Sequence, residues 1–195
     1  VHNVWFAHAS RGLGRCSWWG EQFFTPSGPG KNQFFSITYN NGEMLLAPGG
    51  KDRITAVNSW QVINLYRFVD NKWIAMDNTD FQNGGDISSF ITHGSRNHFL
   101  ASSWSYGLIE YNNGNYSWLI HKSNDTIIQD SNKVIRITSG YYDNNGNLWV
   151  NCSNTDNYIA VCTPSGKWNS YAYESQLSGL HLGKMLHTYK GDFWL

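Results

Sequence analysis

The sequence predicts an all-β chain built as a β-propeller: four-stranded antiparallel blades, about four present, forming a segment of a larger propeller. Three observations carry this. A turn residue followed by a large apolar triplet recurs along the chain at a spacing suited to one blade. The stretches between these anchors repeat in a constant order. No long segment keeps a helical period: the best candidate, SQLSGLHLGKML, is interrupted by Gly179 and Gly183.

The anchors are HNVWFAHAS (2–10), GEMLLAPGG (42–50), NHFLASSW (97–104), GNLWVNCS (146–153) and the terminal GDFWL (191–195). Taking Trp5, Leu45, Phe99, Trp149 and Trp194 as equivalent, the spacings are 40, 54, 50 and 45 residues. A period in the forties is that of a four-stranded blade. Each anchor is a second strand. Third strands follow in GLGRCSW, QVINLYRF, YGLIEYNN and YIAVCTP, and fourth strands, each led into by a polar turn, in GEQFF, DNKWIAM, NGNYSWLI and SGKWNSY. First strands precede the anchors in FFSITYN, ISSFITHG, VIRITSGYY and GKMLHTYKG. The expected units are a partial blade at 1–32, blades at about 33–85, 86–132 and 133–180, and the start of another at 181–195. HLGKMLHTYKG could instead close a ring of four by joining the first blade. The second strand begun in GDFWL, which closure would not need, favours the segment. A β-sandwich with chance likeness between its hairpins is the plainer alternative.

Composition agrees with this reading. Aromatic residues reach 16%, which suits wide gaps between stacked sheets and argues against disorder. Abundant Asn and Gly suit many tight turns. The small stretches Ala7-His8-Ala9, Ala47-Pro48-Gly49 and Ala101-Ser102-Ser103 suit crowded inner positions. Acidic and basic side chains balance at 14 each, so no electrostatic footprint for nucleic acid is present. No apolar run reaches the roughly 18 residues of a membrane span. The first residues carry no signal-peptide pattern, so any targeting segment is expected to be absent or removed. Cys16, Cys152 and Cys162 read as free thiols, the last two buried, although those two could lie on neighbouring strands.

Asp143-Asn144-Asn145-Gly146-Asn147-Leu148-Trp149-Val150 resembles the D-x-x-G-N-L-W signature of two-component-regulator propeller repeats. Gly107-Leu108-Ile109-Glu110-Tyr111 resembles their G-L-x-x-Y segment, and Gly12-Leu13-Gly14-Arg15 echoes it. Longer strings, FFSITYNNGEMLLAPGG, NHFLASSWSYGLIEYNNGNY and YDNNGNLWVNCSNTDNYIAVCTPSGKW, are similar to the later propeller of PorZ-type proteins of the Bacteroidetes type IX secretion system. That resemblance implies a periplasmic or cell-surface scaffold without a catalytic motif. It implies two propellers and a small C-terminal domain in the whole protein, working beside the sortase that links cargo to a lipopolysaccharide anchor. The wider repeat family implies a second role, the ligand-sensing half of a hybrid two-component regulator that senses carbohydrate.

No H-E-x-x-H, G-x-S-x-G, Walker or C-x-x-C motif occurs. A non-enzymatic module with no cofactor and no metal is therefore expected. A lyase-type propeller enzyme, the third reading, needs side chains converging near the axis. His93 and His187, at comparable ends of first strands, are the one hint of that. Asp77, Asp80 and Asp86 with Asn78 and Asn83 have Ca²⁺-like density but no EF-hand spacing, and read as a solvated turn. Asp143 reads as a turn cap rather than an ion ligand, with Gly146 supplying positive φ. The Asn-x-Ser/Thr triplets at Asn115, Asn124 and Asn151 carry little weight in a bacterial chain.

Binding is expected on the face shared by second-to-third-strand loops and blade-to-blade connections. The candidate residues are Lys51, Asp52, Arg53 and Trp60 in the long loop of the second blade, with Trp104 and Tyr106 in the third. Partners would be proteins of a secretion or signalling complex, or a glycan or lipopolysaccharide. Alternatively, Trp60 and Trp104 pack against neighbouring blades.

Overall fold

Tight reversals set the strand boundaries. Asn41-Gly42, Asp70-Asn71 and Asn113-Gly114 all have positive φ at both positions. Each pair joins two strands by a two-residue loop, the turn whose twist matches a right-handed antiparallel ribbon. The computed structural model describes residues 3–24, 27–52, 54–77, 85–121, 132–177, 179–188 and 192–194.

The strands form five antiparallel sheets. The first holds β1 (Val4–His8), β2 (Gly12–Ser17) and β3 (Gly20–Phe24). The second is β4 (Ser36–Asn40), β5 (Glu43–Ala47), β6 (Asn64–Val69) and β7 (Lys72–Asp77). The third is β8 (Ile87–Thr92), β9 (His98–Ser103), β10 (Gly107–Asn112) and β11 (Asn115–His121). The fourth is β12 (Ile137–Tyr142), β13 (Leu148–Cys152), β14 (Ile159–Cys162) and β15 (Trp168–Tyr171). A single helical turn, α1 (Glu174–Leu177), then leads to β16 (Leu186–His187) paired with β17 (Phe193–Trp194). Within each sheet the strands lie in chain order, as the repeat predicts.

The two apolar cores lie between sheets. Leu45, Ala47 and Leu65 of the second sheet meet Phe90, Phe99 and Ile109 of the third. On the third sheet's other face, Ile91, Leu100 and Leu108 meet Leu148, Val150 and Ala160 of the fourth. Both faces of the third sheet are thus covered, and its β8 and β9 read BBBBBi and iBBBBB in burial rather than alternating. The first strands come together: β8 packs on both β4 and β12. The Ser88 hydroxyl donates to the Ile137 carbonyl at 3.1 Å across that junction.

A buried polar clasp also ties the second sheet to the third. Arg67 donates through Nε to Glu43 at 2.8 Å and through a second nitrogen to the same carboxylate. It also donates to the Tyr111 hydroxyl at 3.0 Å and to Asn97. Asn40 donates to the other Glu43 oxygen at 2.8 Å and to the Ser95 carbonyl at 3.0 Å. Glu43 and Arg67 are both buried, so each charge depends on the other.

The Asp143 turn has the predicted cap. The carboxylate accepts from the Asn145 and Asn147 backbone N–H groups, each at 2.9 Å, from the Asn147 side chain at 2.8 Å and from Trp149 Nε1 at 2.9 Å. Gly146 takes φ 78°. Burial pushes the Asp143 carboxyl up, but the hydrogen bonds from Trp149, Asn147 and Asn145 outweigh it and hold the group below its ordinary value.

One crowding expectation fails. Ala7, His8 and Ala9 are exposed, because β1 is the edge strand of a three-stranded sheet with no first strand beside it. Ala47, Ala101, Ser102 and Ser103 are buried as expected. Cys152 and Cys162 are buried free thiols on neighbouring strands, with Cys162 paired opposite Leu148 at the far end from Cys152.

Replacing Glu43 with Ala is expected to cost about 3–5 kcal/mol in denaturant unfolding, the loss for breaking one side of a buried ion pair. The double variant E43L/R67M should recover most of it, and a loss below about 1 kcal/mol for E43A would show that the pair is not buried. Asp143→Ala should cost about 1–2 kcal/mol at neutral pH. Because the folded carboxyl lies below its unfolded value, that stabilisation is complete above about pH 4 and disappears as pH falls through the folded value. D143A should therefore show a flatter acid limb in stability against pH.

Candidate functional site

The loop between β5 and β6 is a folded element. Gly50, at φ 136°, passes so close to Phe35 that a Cβ there would lie 2.4 Å from the ring. Lys51 and Asn58 form an antiparallel bridge. Asp52 closes the turn between them: its carboxylate accepts from Ile54 N at 2.9 Å, Thr55 N at 2.7 Å and the Thr55 hydroxyl at 2.8 Å. The Thr55 and Ile54 bonds hold the Asp52 carboxyl below its ordinary value.

Asp86, just before β8, pins the far side of the loop. Its carboxylate accepts from Trp60 N at 3.1 Å and Gln61 N at 2.8 Å, and its carbonyl accepts from Trp104 N at 2.9 Å. Burial raises the Asp86 carboxyl above its ordinary value, against the pull of those donors. Asn58 donates to the Ser105 hydroxyl, and Trp104 Nε1 donates to the Ala56 carbonyl at 2.9 Å. The fixed loop then presents Ile54 (93% exposed), Val57, Trp60 (73% exposed) and Val62 to solvent.

Beneath the loop lies Trp104, fully buried at 0% exposure. The expectation of an exposed Trp104 gives way to the packed alternative: its ring is a floor, covered by loop and cations. Lys51 Nζ lies 3.9 Å from the ring centre, the Arg136 guanidinium carbon 5.9 Å, and the His181 ring 6.0 Å centre to centre. Burial pushes the Lys51 ammonium down. His181 is also pushed down, by burial first and then by the positive charges of Lys51 and Arg136.

The structure thus joins Lys51 and Trp104, leaves Trp60 exposed, and uses Asp52 within the loop. Tyr106 is half-buried at a parallel bridge to Ile135. Arg53 lies outside the described residues.

Arg136 and His181 escaped the sequence reading, although the repeat marks them. Asp86, Arg136 and His181 occupy one repeat position, spaced 50 and 45 residues apart, the same intervals that separate Phe99, Trp149 and Trp194. Trp18 and Trp19, exposed at the β2–β3 turn, were also not singled out.

The other expected clusters separate. His93 packs on the Tyr142 ring at 4.4 Å and His187 on Tyr141 at 4.2 Å. Consecutive residues of a strand point to opposite faces, so the two histidines sit on opposite sides of β12 and do not converge. Asp86 faces the loop amides, while Asn78, Asp80, Asn83 and the Asp77 side chain lie outside the described residues. Among the described residues, no three His, Cys, Asp or Glu side chains come together to hold a metal. An apolar groove of about 510 Å³ lies on the fourth sheet's other face, lined by Trp149, Ile159, Tyr171 and Met185 among others.

Against solved structures, the whole chain superposes on PorZ, a bacterial surface component of the type IX secretion system of Porphyromonas gingivalis. The TM-score is 0.74 at 23% identity, over 27% of that protein's length. The chain has the β-propeller fold. It is also similar to the extracellular domain of a one-component system from B. thetaiotaomicron, with a TM-score of 0.58 at 14% identity, covering 98% of this chain and 24% of that one. The chain therefore spans about a quarter of the length of the structures it matches. No protein-family model matches it, and no curated protein does. No described helix is long and apolar enough to cross a membrane.

Losing the Asp86 carboxylate should release the loop. In Asp86→Ala, tryptic cleavage after Lys51 or Arg53 is expected to rise about tenfold or more, with the far-UV circular dichroism unchanged, as for two lost hydrogen bonds to one charged group. Cleavage at the parental rate would show that Asp86 does not hold the loop.

Proposed function

We propose that this chain is a non-enzymatic binding module of a bacterial cell-envelope protein, with a PorZ-like part in type IX secretion, at the cell surface or in the periplasm. One observation carries the reading: a loop fixed by Asp52, Asp86 and Trp104 holds Ile54, Val57, Trp60 and Val62 in solvent. Apolar and aromatic side chains exposed together on a rigid support suit recognition of another protein, where they bury area at little entropic cost. The likeness to PorZ supports the scaffold by fold; the secretion role rests on this loop face and on the repeat resemblance. The split of His93 from His187 takes away the convergence that a lyase-type enzyme would need.

Carbohydrate sensing is the second reading. It is favoured by Trp60 alone, whose exposed ring beside the polar groups of Ser59 and Gln61 could stack on a sugar.

A photo-crosslinking side chain placed at Val57 of the full-length protein, in its own bacterium, separates the two. Protein adducts containing secretion-machinery components are expected, and Trp60→Ala should lower their yield about tenfold. Absence of any protein adduct, together with protection of Trp60 from chemical oxidation by an oligosaccharide, would replace the scaffold reading with the sensor.

A further inference from the structure

The charges around Trp104 lie apart from the exposed loop tip and have a chemistry of their own. Lys51, Arg136 and His181 arrive on three separate connections, at one end of the propeller: the β5–β6 loop, the segment entering β12 and the segment entering β16. Each lies within 6.0 Å of the centre of the same buried indole. Lys51 and Arg136 are half-buried and His181 is exposed, so the cluster opens to solvent. Among the described residues no carboxylate forms an ion pair with Lys51. The two acidic groups of the loop, Asp86 and Asp52, turn their oxygens to backbone N–H groups of Trp60, Gln61, Ile54 and Thr55. A cation above an indole is stabilising, and Lys51 alone would be explained as a lid on Trp104. Two further cationic groups are not. They repel Lys51 and one another, and the depressed titration of His181 is the sign of that repulsion. Like charges held together on fixed segments form a site for the opposite charge.

We propose that Lys51, Arg136 and His181 form an oxyanion-binding site over Trp104 that takes the phosphate or carboxylate group of a ligand. Lys51 supplies a point charge, Arg136 a planar guanidinium, and His181 a proton whose uptake is coupled to the anion. The charged groups facing His181 are Lys51 and Arg136, both positive, so an anion placed among them must raise its proton affinity. Binding therefore tightens as pH falls through the His181 value. The site does not depend on what the loop tip recognises.

The 195-residue chain can be tested directly. The His181 ring is followed by NMR from pH 5 to 8 at fixed ionic strength, with NaCl alone, with inorganic phosphate and with galacturonate. At least one oxyanion is expected to raise the His181 midpoint by about 0.5 pH unit or more, while His8, exposed and remote, stays unmoved. A response to phosphate only, to galacturonate only or to both supports the site and names the oxyanion. Lys51→Gln should raise the midpoint in NaCl and weaken the anion response about fivefold or more, and Arg136→Gln serves as the second variant if K51Q does not fold. The proposal is overturned if His181 shifts no more than His8 in both anions, or if its shift survives both substitutions.

Discussion

A β-sheet has two faces, and everything in this chain follows from the need to cover both. The third sheet meets that need completely, with one core against the second sheet and another against the fourth. Its strands are therefore apolar on both sides, and small residues line its inner strands where β4, β8 and β12 approach one another. The covering also explains the aromatics. Phe99, Tyr111 and Trp118 fill space that widens away from the axis. Where a neighbour is lacking, the same kinds of residue stay in solvent, as Trp5 and Leu13 do in the first sheet and Trp194 in the last.

Apolar stacking alone would leave the sheets free to slide, and polar contacts fix their relation. The Glu43–Arg67 clasp reaches Tyr111 and Asn97 of the next sheet, and such a buried network is satisfied in one arrangement only. Ser88 performs a similar task near the axis. Further along, Asn151 donates to the Gly183 carbonyl at 2.8 Å, and the Ser139 hydroxyl accepts from Met185 N at 2.6 Å, fastening residues 183–185 to the fourth sheet. These contacts carry His181 to the same end of the propeller as Lys51 and Arg136.

The candidate face uses a different economy from the core. Its loop has few apolar contacts and is held by two carboxylates, each accepting backbone N–H groups, and by one indole that donates to a loop carbonyl. Asp86, Arg136 and His181 show how a repeat generates a site. One position, just before the inner strand of successive blades, always faces the same end of the axis. Changing its residue from one blade to the next builds an anchor in one place and positive charge in others, with no change to the blade.

Much was legible in order of strands and turns, because those depend on local rules. Asn-Gly pairs demand positive φ, and the Asp143 cap needs only residues six positions away at most. The sequence by itself determined the blade repeat, the antiparallel meander and the loop face on which Lys51, Trp60 and Trp104 would stand. Only the tertiary structure decided that Trp104 is a buried floor, that His93 and His187 lie on opposite sides of β12, and that Arg136 and His181 join Lys51. The reason is physical: backbone hydrogen bonds and turn conformations are settled between chain neighbours, whereas burial and charge proximity are settled by the rotation of one sheet against the next.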